Sequence, residues 1–512
     1  MGISTPLIIC MMFPLLLLGV VIWLAYKWWT SIYSQWDRRG VQNVPSSSPL
    51  GSDASLTLMT KYQGYTLNEM YKKFSTPYFG LYMVRSPFLV IKNPEIISII
   101  LTKEFSHFRN RQFLKIHKSD FIFQHLFNLE DDKWKTTKGK LQSTFSTSKL
   151  RSMFPLFIKC TENFQSVLLQ KEGETINMKP TLKRFTTDVI CQTLFGLEAN
   201  TNCESEVTKI GQKATDLNLL ILLKVAIKLA FPEIAKNIPL KVFPTDVEKF
   251  FLKLVTDIVE YREKNDVKVN DFLDSLIQMK KRGMTGEEKK FENGNINWQS
   301  QDITLEVMAA QCFFLFVAGL ENASSMQTYC LYELALNPDL QKTLQSEIDN
   351  CLKKHGELTY EAIKEMEFLN MAISETLRKY PVLPFTSRIC TTPLTFPDGF
   401  QVEKGDQMII PTWSLQHDPQ YFPDPEKFDP ERFSEQNKDS IVPYTYLPFG
   451  EGPRMCLGMR FSQLQMKVGI VSILSKYNVE PTKDTQIPIP LKGRAFSTLP
   501  DVAVNLRLVS RS

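Results

Sequence analysis

Hydrophobic and polar positions divide this chain into an apolar block at its start, a long mixed body, and one internal apolar run that contains no proline. From Pro6 to Tyr26 no residue is charged, and a helix of that length crosses the roughly 30 Å hydrocarbon layer of a bilayer. No basic segment precedes the block and no small-x-small cleavage pattern follows it, so a retained anchor fits better than a removed secretory signal. Tyr26-Lys27-Trp28-Trp29 supplies interfacial aromatics and a lysine, and Arg38 and Arg39 follow soon after. That charge bias puts the rest of the chain on the cytosolic side. Residues 1–30 are thus expected to form a signal-anchor helix. Residues 31–52, which include the proline- and serine-rich Asn43 to Ser52, read as a linker, and residues 53–512 as one large folded body.

Ile303 to about Asn337 reads as one helix, and between Val307 and Leu320 only Gln311 interrupts an apolar surface on every face, the mark of a helix inside a core. A second membrane span competes with this reading, but the run is short and Glu306 and Glu321 bracket it. Within it, "FVAGLENASS" (Phe316 to Ser325) sets Ala318 and Gly319 where a helix would want bulk, then Glu321 and Asn322. Glycine costs about 1 kcal/mol in a helix interior. Gly319 is therefore expected to admit something close to the backbone, as a flat cofactor carrying a small ligand would require; plain helix crossings use the same residues. The polar stretch Gly283 to Gln301 just before reads as a surface connection between two helices.

Composition narrows the chemistry. A formal charge of +5 over 512 residues implies no nucleic acid or other polyanion. Nine cysteines without a CxxC pair suit reduced thiols facing the cytosol. None of the five histidines is paired at metal-ligand spacing, which argues against a zinc hydrolase.

One cysteine stands apart. "LPFGEGPRMCLGMRFSQLQMK" (Leu447 to Lys467) sets Gly450, Gly452 and Pro453 before Cys456 and a helical run from about Gly458. Loop N–H groups and the positive end of a helix both stabilise a thiolate, and Arg454 can reach a carboxylate on whatever the sulfur holds. Phe449, Gly452, Arg454, Cys456 and Gly458 match, residue by residue, the FxxGxRxCxG signature of the cytochrome P450 family. The resemblance implies that the Cys456 thiolate is the axial ligand of the iron of haem b. It also implies a mainly α fold with a smaller β-rich subdomain. "ETLR" resembles the family's ExxR pair, and Arg432 in "FDPERF" is expected to join Glu375 and Arg378 in a buried charge cluster that serves folding and haem retention. Arg388 lies where the family places an arginine near a haem propionate. Trp134 and Lys138 resemble the WxxxR motif, with lysine in place of arginine and Ser143 where proline is usual. Trp134 and Lys138 lie one turn apart and so could both meet a propionate.

The resemblance covers essentially the whole chain and looks closest to the insect microsomal branch that handles xenobiotics and hormones. It implies a monooxygenase that inserts one atom of O2 into a lipophilic small molecule. An isomerase or dehydratase of activated peroxides, and a haem-binding protein without turnover, are the alternatives. The stretch Ala318 to Ala323 resembles the family's AGx[D/E]T[T/S], in which small residues make room for dioxygen and an acid and a threonine steer protons. Here Ala318, Gly319 and Glu321 are kept, but Asn322 and Ala323 replace the hydroxyl-bearing pair. No flavin or dinucleotide fingerprint is visible, so the electrons are expected from NADPH through cytochrome P450 reductase, with cytochrome b5 as a second donor. Lys133, Lys135, Lys138 and Lys140 form a basic cluster suited to an acidic flavoprotein. Asn110 to Phe123 and Leu217 to Phe231 are expected to line the pocket, the latter and the segment after it dipping into the endoplasmic reticulum membrane.

Overall fold

The first apolar block folds as helix α1 (Thr5–Thr30), and its side chains from Leu15 to Leu24 stand exposed. The computed structural model describes residues 5–511 apart from Ser47, Gln112, Phe113, Lys115, Ile116, Lys118, 199–205 and 285–302. Most of the polar connection expected between Gly283 and Gln301 therefore lies outside the described residues.

The segment read as a linker is a docked strap instead. Tyr33 and Trp36 are buried, the Tyr33 hydroxyl donates to Val84 O at 2.9 Å, and Arg39 pairs with Asp406 at 2.9 Å. The serines and prolines after Asn43 suggested solvation. Two aromatic rings upstream of them decide the outcome, since burying each is worth roughly 2–3 kcal/mol. Gly80 is part of the fit, because a Cβ there would overlap the Trp36 ring.

The strap lies on a four-stranded sheet, β1 (Tyr78–Met83), β2 (Ser86–Ile91), β3 (Thr386–Ile389) and β4 (Gln407–Ile410), in the order β1-β2-β4-β3 with only β2 and β4 parallel. Successive side chains point to opposite faces of a strand. Leu89 and Ile91 accordingly join Trp36 in one core, while Phe88 and Val90 join another. A second sheet pairs Thr175–Asn177 and Tyr477–Pro481 on either side of Asn505–Ser510.

The largest core lies among helices. Those that position the site are α2 (Asp131–Gln142), α3 (Thr147–Leu169), α4 (Met178–Phe195), α5 (Leu219–Ala230), α6 (Thr245–Asn265), α7 (Leu305–Leu336), α8 (Glu367–Lys379) and α9 (Met459–Leu474). Helix α7 is the long proline-free run; the Thr304 hydroxyl caps it by accepting from Val307 N–H at 3.3 Å. It is buried on every face from Ala323 to Ala335, which makes it the central core helix and not a second span. Helix α5 buries Ile221, Leu222, Val225 and Leu229 with the sheet residues Phe79, Leu81, Phe88 and Val90. The architecture is the mainly α fold with a smaller strand-containing part that the sequence implied.

Candidate haem-thiolate site

The cysteine loop is shaped by two glycines at positive φ, Gly450 at +71° and Gly452 at +74°. Only Gly452 is also hemmed in, because a Cβ there would collide with the Leu101 carbonyl oxygen. At Gly458, which precedes α9, an added Cβ would meet only Phe145, at 3.9 Å. The loop closes through Cys456 N–H donating to Phe449 O at 2.9 Å. The Cys456 side chain is accessible but sits between walls that desolvate it. Burial raises its thiol, while the Gly458 N–H and the Arg111 charge pull it down without cancelling that rise. The loop N–H and the neighbouring guanidinium are the two features that favour a thiolate here.

Beside the sulfur is a cluster of positive charge. Arg111, Arg388, Arg454 and Lys138 press on one another, and burial lowers all four, Arg111 to about 10 and Arg454 to about 9. Among the described residues none of the four makes an ion pair with a carboxylate. Arg454 instead lies over Trp134, its guanidinium 4.1 Å from the ring, and donates to Arg109 O and Leu129 O, each at 2.8 Å. Arg388 donates to Ser387 O at 2.8 Å, and Arg111 to Arg454 O at 2.6 Å. Arg111 Nε, Arg388 Nε and Arg454 Nη1 are buried without a partner. Stranded guanidinium N–H groups of this kind cost about 1–3 kcal/mol each or more. Haem would fit them: Cys456 would hold its iron and the arginines its two carboxylates. Arg111, Arg388 and Arg454 are the residues that would meet such carboxylates, with Trp134 packed under the Arg454 guanidinium. Lys138 is not among them: its ammonium donates to Pro453 O in the cysteine loop.

Helix α7 separates the residues that the sequence grouped into one notch. At 100° per residue, Phe314, Leu315, Ala318 and Asn322 share one face, and all four are half-buried. Gly319 and Glu321 lie at the two edges of that face, and their contacts turn both toward α4. A Cβ on Gly319 would overlap Ile190 Cδ1 of α4, so the close approach at this glycine is a helix crossing and not a cofactor. The Glu321 carboxylate is buried and held by Lys183 and, at 3.1 Å, by Lys179, both on α4. Burial would raise it, but the two lysines bring it down to about 2. Lys179, largely buried and sharing that carboxylate with Lys183, falls to about 8.

Glu375 and Arg378 form the buried pair expected on α8. Nε meets Oε2 at 2.7 Å and Nη2 meets Oε1 at 2.9 Å, while Nη1 donates to Gln416 O at 2.9 Å. Arg432 approaches Glu375 Oε1 at 3.5 Å, a charge contact, and donates to Asp424 O at 3.0 Å.

Two residues escaped the sequence reading of the site. Arg111 lay in a stretch assigned to the pocket, and its only signal was a second arginine two residues after Arg109. Gln311 was noted as a lone polar residue; its Oε1 accepts from Leu126 N–H at 2.9 Å and its Nε2 donates to Gln124 O at 3.1 Å, pinning a loop over the open face of α7. On that loop His125 stacks on Phe314 with ring centroids 4.4 Å apart.

Sequence comparison agrees with this geometry. The Cytochrome P450 family profile matches residues 56–504. Cytochrome P450 6a2 of Drosophila melanogaster is 36% identical, over 93% of this chain and 94% of its own. Cytochrome P450 6k1 of Blattella germanica is 34% identical, over 94% of each. Cytochrome P450 9e2 of the same cockroach is 31% identical, over 97% of each. With a lone cysteine on a glycine-built loop, unpaired arginines around it and a match of this extent, the chain belongs to the cytochrome P450 family of haem monooxygenases.

Proposed function

We propose that this protein is a membrane-anchored microsomal monooxygenase of the endoplasmic reticulum, its body facing the cytosol, which oxidises a lipophilic small molecule with electrons passed from NADPH by cytochrome P450 reductase. The observation that carries the reading is the set of three buried, partnerless guanidinium donors around Cys456, which calls for a dianionic iron-bearing group. When bound, haem supplies the activation of dioxygen. The chain's own part is to give iron its sulfur from Cys456, fix the carboxylates with Arg111, Arg388 and Arg454, and shape the opposite face with Ala318 and Asn322. There the Asn322 amide, which donates by N–H and accepts by C=O, orders a water in place of the usual hydroxyl.

The membrane side is supported by an apolar ridge. Leu219, Leu220, Leu223 and Ile227 of α5 and Ile234 and Ile238 just beyond are exposed. The ridge continues into the anchor, because Trp28 stacks on Phe231 at 6.4 Å and Arg85 sits 3.8 Å over the Trp28 ring. For the reductase, Lys133 and Lys135 stand exposed on α2, whereas Lys138 is turned inward to the cysteine loop. Cytochrome b5 would meet the same face.

Purified protein in phospholipid vesicles with the reductase and NADPH should show the carbon monoxide band of thiolate-ligated ferrous haem and incorporate one labelled oxygen atom from O2 into a lipophilic probe. Turnover of peroxides without reductase, and none with it, would sink the monooxygenase reading.

A further inference from the structure

Where the anchor helix meets the body, one arginine is held without a counter-charge. Arg85 sits on the turn between β1 and β2, and both of its neighbours in the chain are fastened. Val84, at φ +55°, donates its N–H to Leu50 O at 3.1 Å and accepts at its carbonyl from the Tyr33 hydroxyl at 2.9 Å. The Ser86 hydroxyl donates to Leu229 O in the last turn of α5 at 2.8 Å. The Arg85 guanidinium is laid over the Trp28 ring at 3.8 Å with the Trp29 ring 5.8 Å away, and Nη2 donates to Trp28 O at 3.4 Å near the end of α1. Nε is covered without a partner. Among the described residues no carboxylate pairs with Arg85, and Nη1 bonds to no protein atom. Trp28 is 54% exposed, and its indole N–H also donates to none of the described residues, whereas the Trp29 indole N–H is taken by Pro49 O at 2.9 Å. Phe231, just past α5, packs on both rings, at 6.4 Å from Trp28 and 5.7 Å from Trp29.

The depth of this place follows from the anchor. At 1.5 Å per residue the uncharged stretch from Pro6 to Tyr26 spans about 30 Å, so Trp28 stands roughly 3 Å beyond the hydrocarbon, at the level of the lipid phosphates. Exposed apolar side chains belong to both elements that meet here, Leu15 to Leu24 of α1 and Leu223, Ile227 and Ile234 of the ridge. A cation that the protein leaves unpaired at that level has one abundant counter-ion, the phosphate of a membrane lipid. The two free oxygens of a phosphate diester match two N–H donors, and a guanidinium bonds such oxygens strongly. We propose that Arg85 and Trp28 form a binding site for the phosphate diester of one membrane phospholipid, with Arg85 Nη1 and the Trp28 indole N–H as donors and the acyl chains lying along the α5 ridge. The proposal rests on the reading of α1 as a membrane anchor. A phospholipid held there fixes the depth at which the ridge enters the bilayer, because Arg85 is tied through Ser86 to the last turn of α5.

The test is native mass spectrometry of the full-length holoenzyme released from detergent micelles and titrated with three probes. Dioleoylphosphatidylcholine carries chains and phosphate, dioleoylglycerol the same chains without phosphate, and glycerophosphocholine the phosphate without chains. The wild type should bind the first about tenfold more tightly than the second and retain none of the third. Arg85→Gln should lose that preference while keeping its carbon monoxide band, and Trp28→Phe, which keeps the stack but removes the indole N–H, should weaken it about threefold. Equal binding of phospholipid and diacylglycerol by the wild type overturns the site, as does an undiminished preference in either variant. Retention of glycerophosphocholine would mark a site for free phosphate and overturn the lipid assignment. The wild-type comparison decides even if a variant fails to fold. A full chain that does not float with phosphatidylcholine vesicles would instead point to the anchor reading itself, and the site would fall with it.

Discussion

Gly319→Ala separates two accounts of the notch on α7. If the glycine makes room for a ligand, an added methyl should cut carbon monoxide and substrate binding and leave stability alone. If it makes room for α4, the methyl should meet Ile190, whose Cδ1 it would overlap and whose Cγ1 lies 3.1 Å away. Alanine gains about 1 kcal/mol in helix propensity over glycine, and overpacking costs about 1–3 kcal/mol, so the net loss is about 1 kcal/mol. Ile190→Val removes the overlapped carbon at a cost of roughly 0.5–1.5 kcal/mol. In that background Gly319→Ala should become neutral or stabilising, a coupling of about 1–2 kcal/mol between the two positions. The assay is the temperature at which half of the ferric Soret absorbance is lost, measured for the four proteins of the cycle. For a body of this size, 1 kcal/mol moves that temperature by about 1–2 °C. Additive shifts combined with weakened carbon monoxide binding would refute the helix-crossing account.

Three further outcomes follow from the same geometry. Glu375→Gln leaves Arg378 buried without its counter-charge and should cost about 3–5 kcal/mol, seen as a collapsed ratio of haem to protein absorbance, with Arg432→Ala milder because Arg432 makes only a charge contact. Arg111→Leu should speed haem transfer to apomyoglobin by about tenfold, since one charge-assisted bond to a carboxylate is worth roughly 1.5 kcal/mol; an unchanged rate would remove Arg111 from the haem-holding set. Glu321, held at about 2 by Lys183 and Lys179, contributes stability that is complete above the ordinary glutamate range and is lost as pH falls from about 4.5 toward 2, so Glu321→Gln should flatten acid loss of the Soret band there and have no such effect near pH 6.

The sequence made the cysteine loop, the Glu375–Arg378 pair and the long helix legible because each is written in local spacing. Glycines before a cysteine, an acid and a base three apart, and a proline-free apolar run all state their geometry within a few residues. What it hid were partners supplied from far away. Trp36 is drawn down on a strand more than forty residues on, which turned a serine-rich connection into a docked strap. Ile190 fills the space at Gly319, and Lys179 and Lys183 occupy Glu321, each reaching α7 from α4. Lys138 replaces a forked guanidinium by a point charge, which bonds as readily to a backbone carbonyl as to a carboxylate. No spacing rule distinguishes those outcomes.

Taken together, these placements redistribute the proton chemistry of the distal side. An acid held at about 2 by two ammonium groups is charged at any working pH and spends its hydrogen-bonding capacity on α4, so Glu321 is a poor proton donor where it stands. Lys179, lowered to about 8, is the better one, but its three donors go to Glu321 O at 2.9 Å and to the Ser324 and Ser325 hydroxyls at 2.7 Å, again on the covered side of the helix. What remains on the open face is the Asn322 amide beside Ala318, an apolar wall of Phe314 and Leu315, and whatever water the amide holds. An amide cannot give up a proton and recover it as a hydroxyl can, but it can hold a water in one orientation. On the proposed reading, Asn322 is then the residue left on that face to order a water for proton delivery, because Glu321 and Lys179 spend their hydrogen bonds toward α4 and along α7 itself.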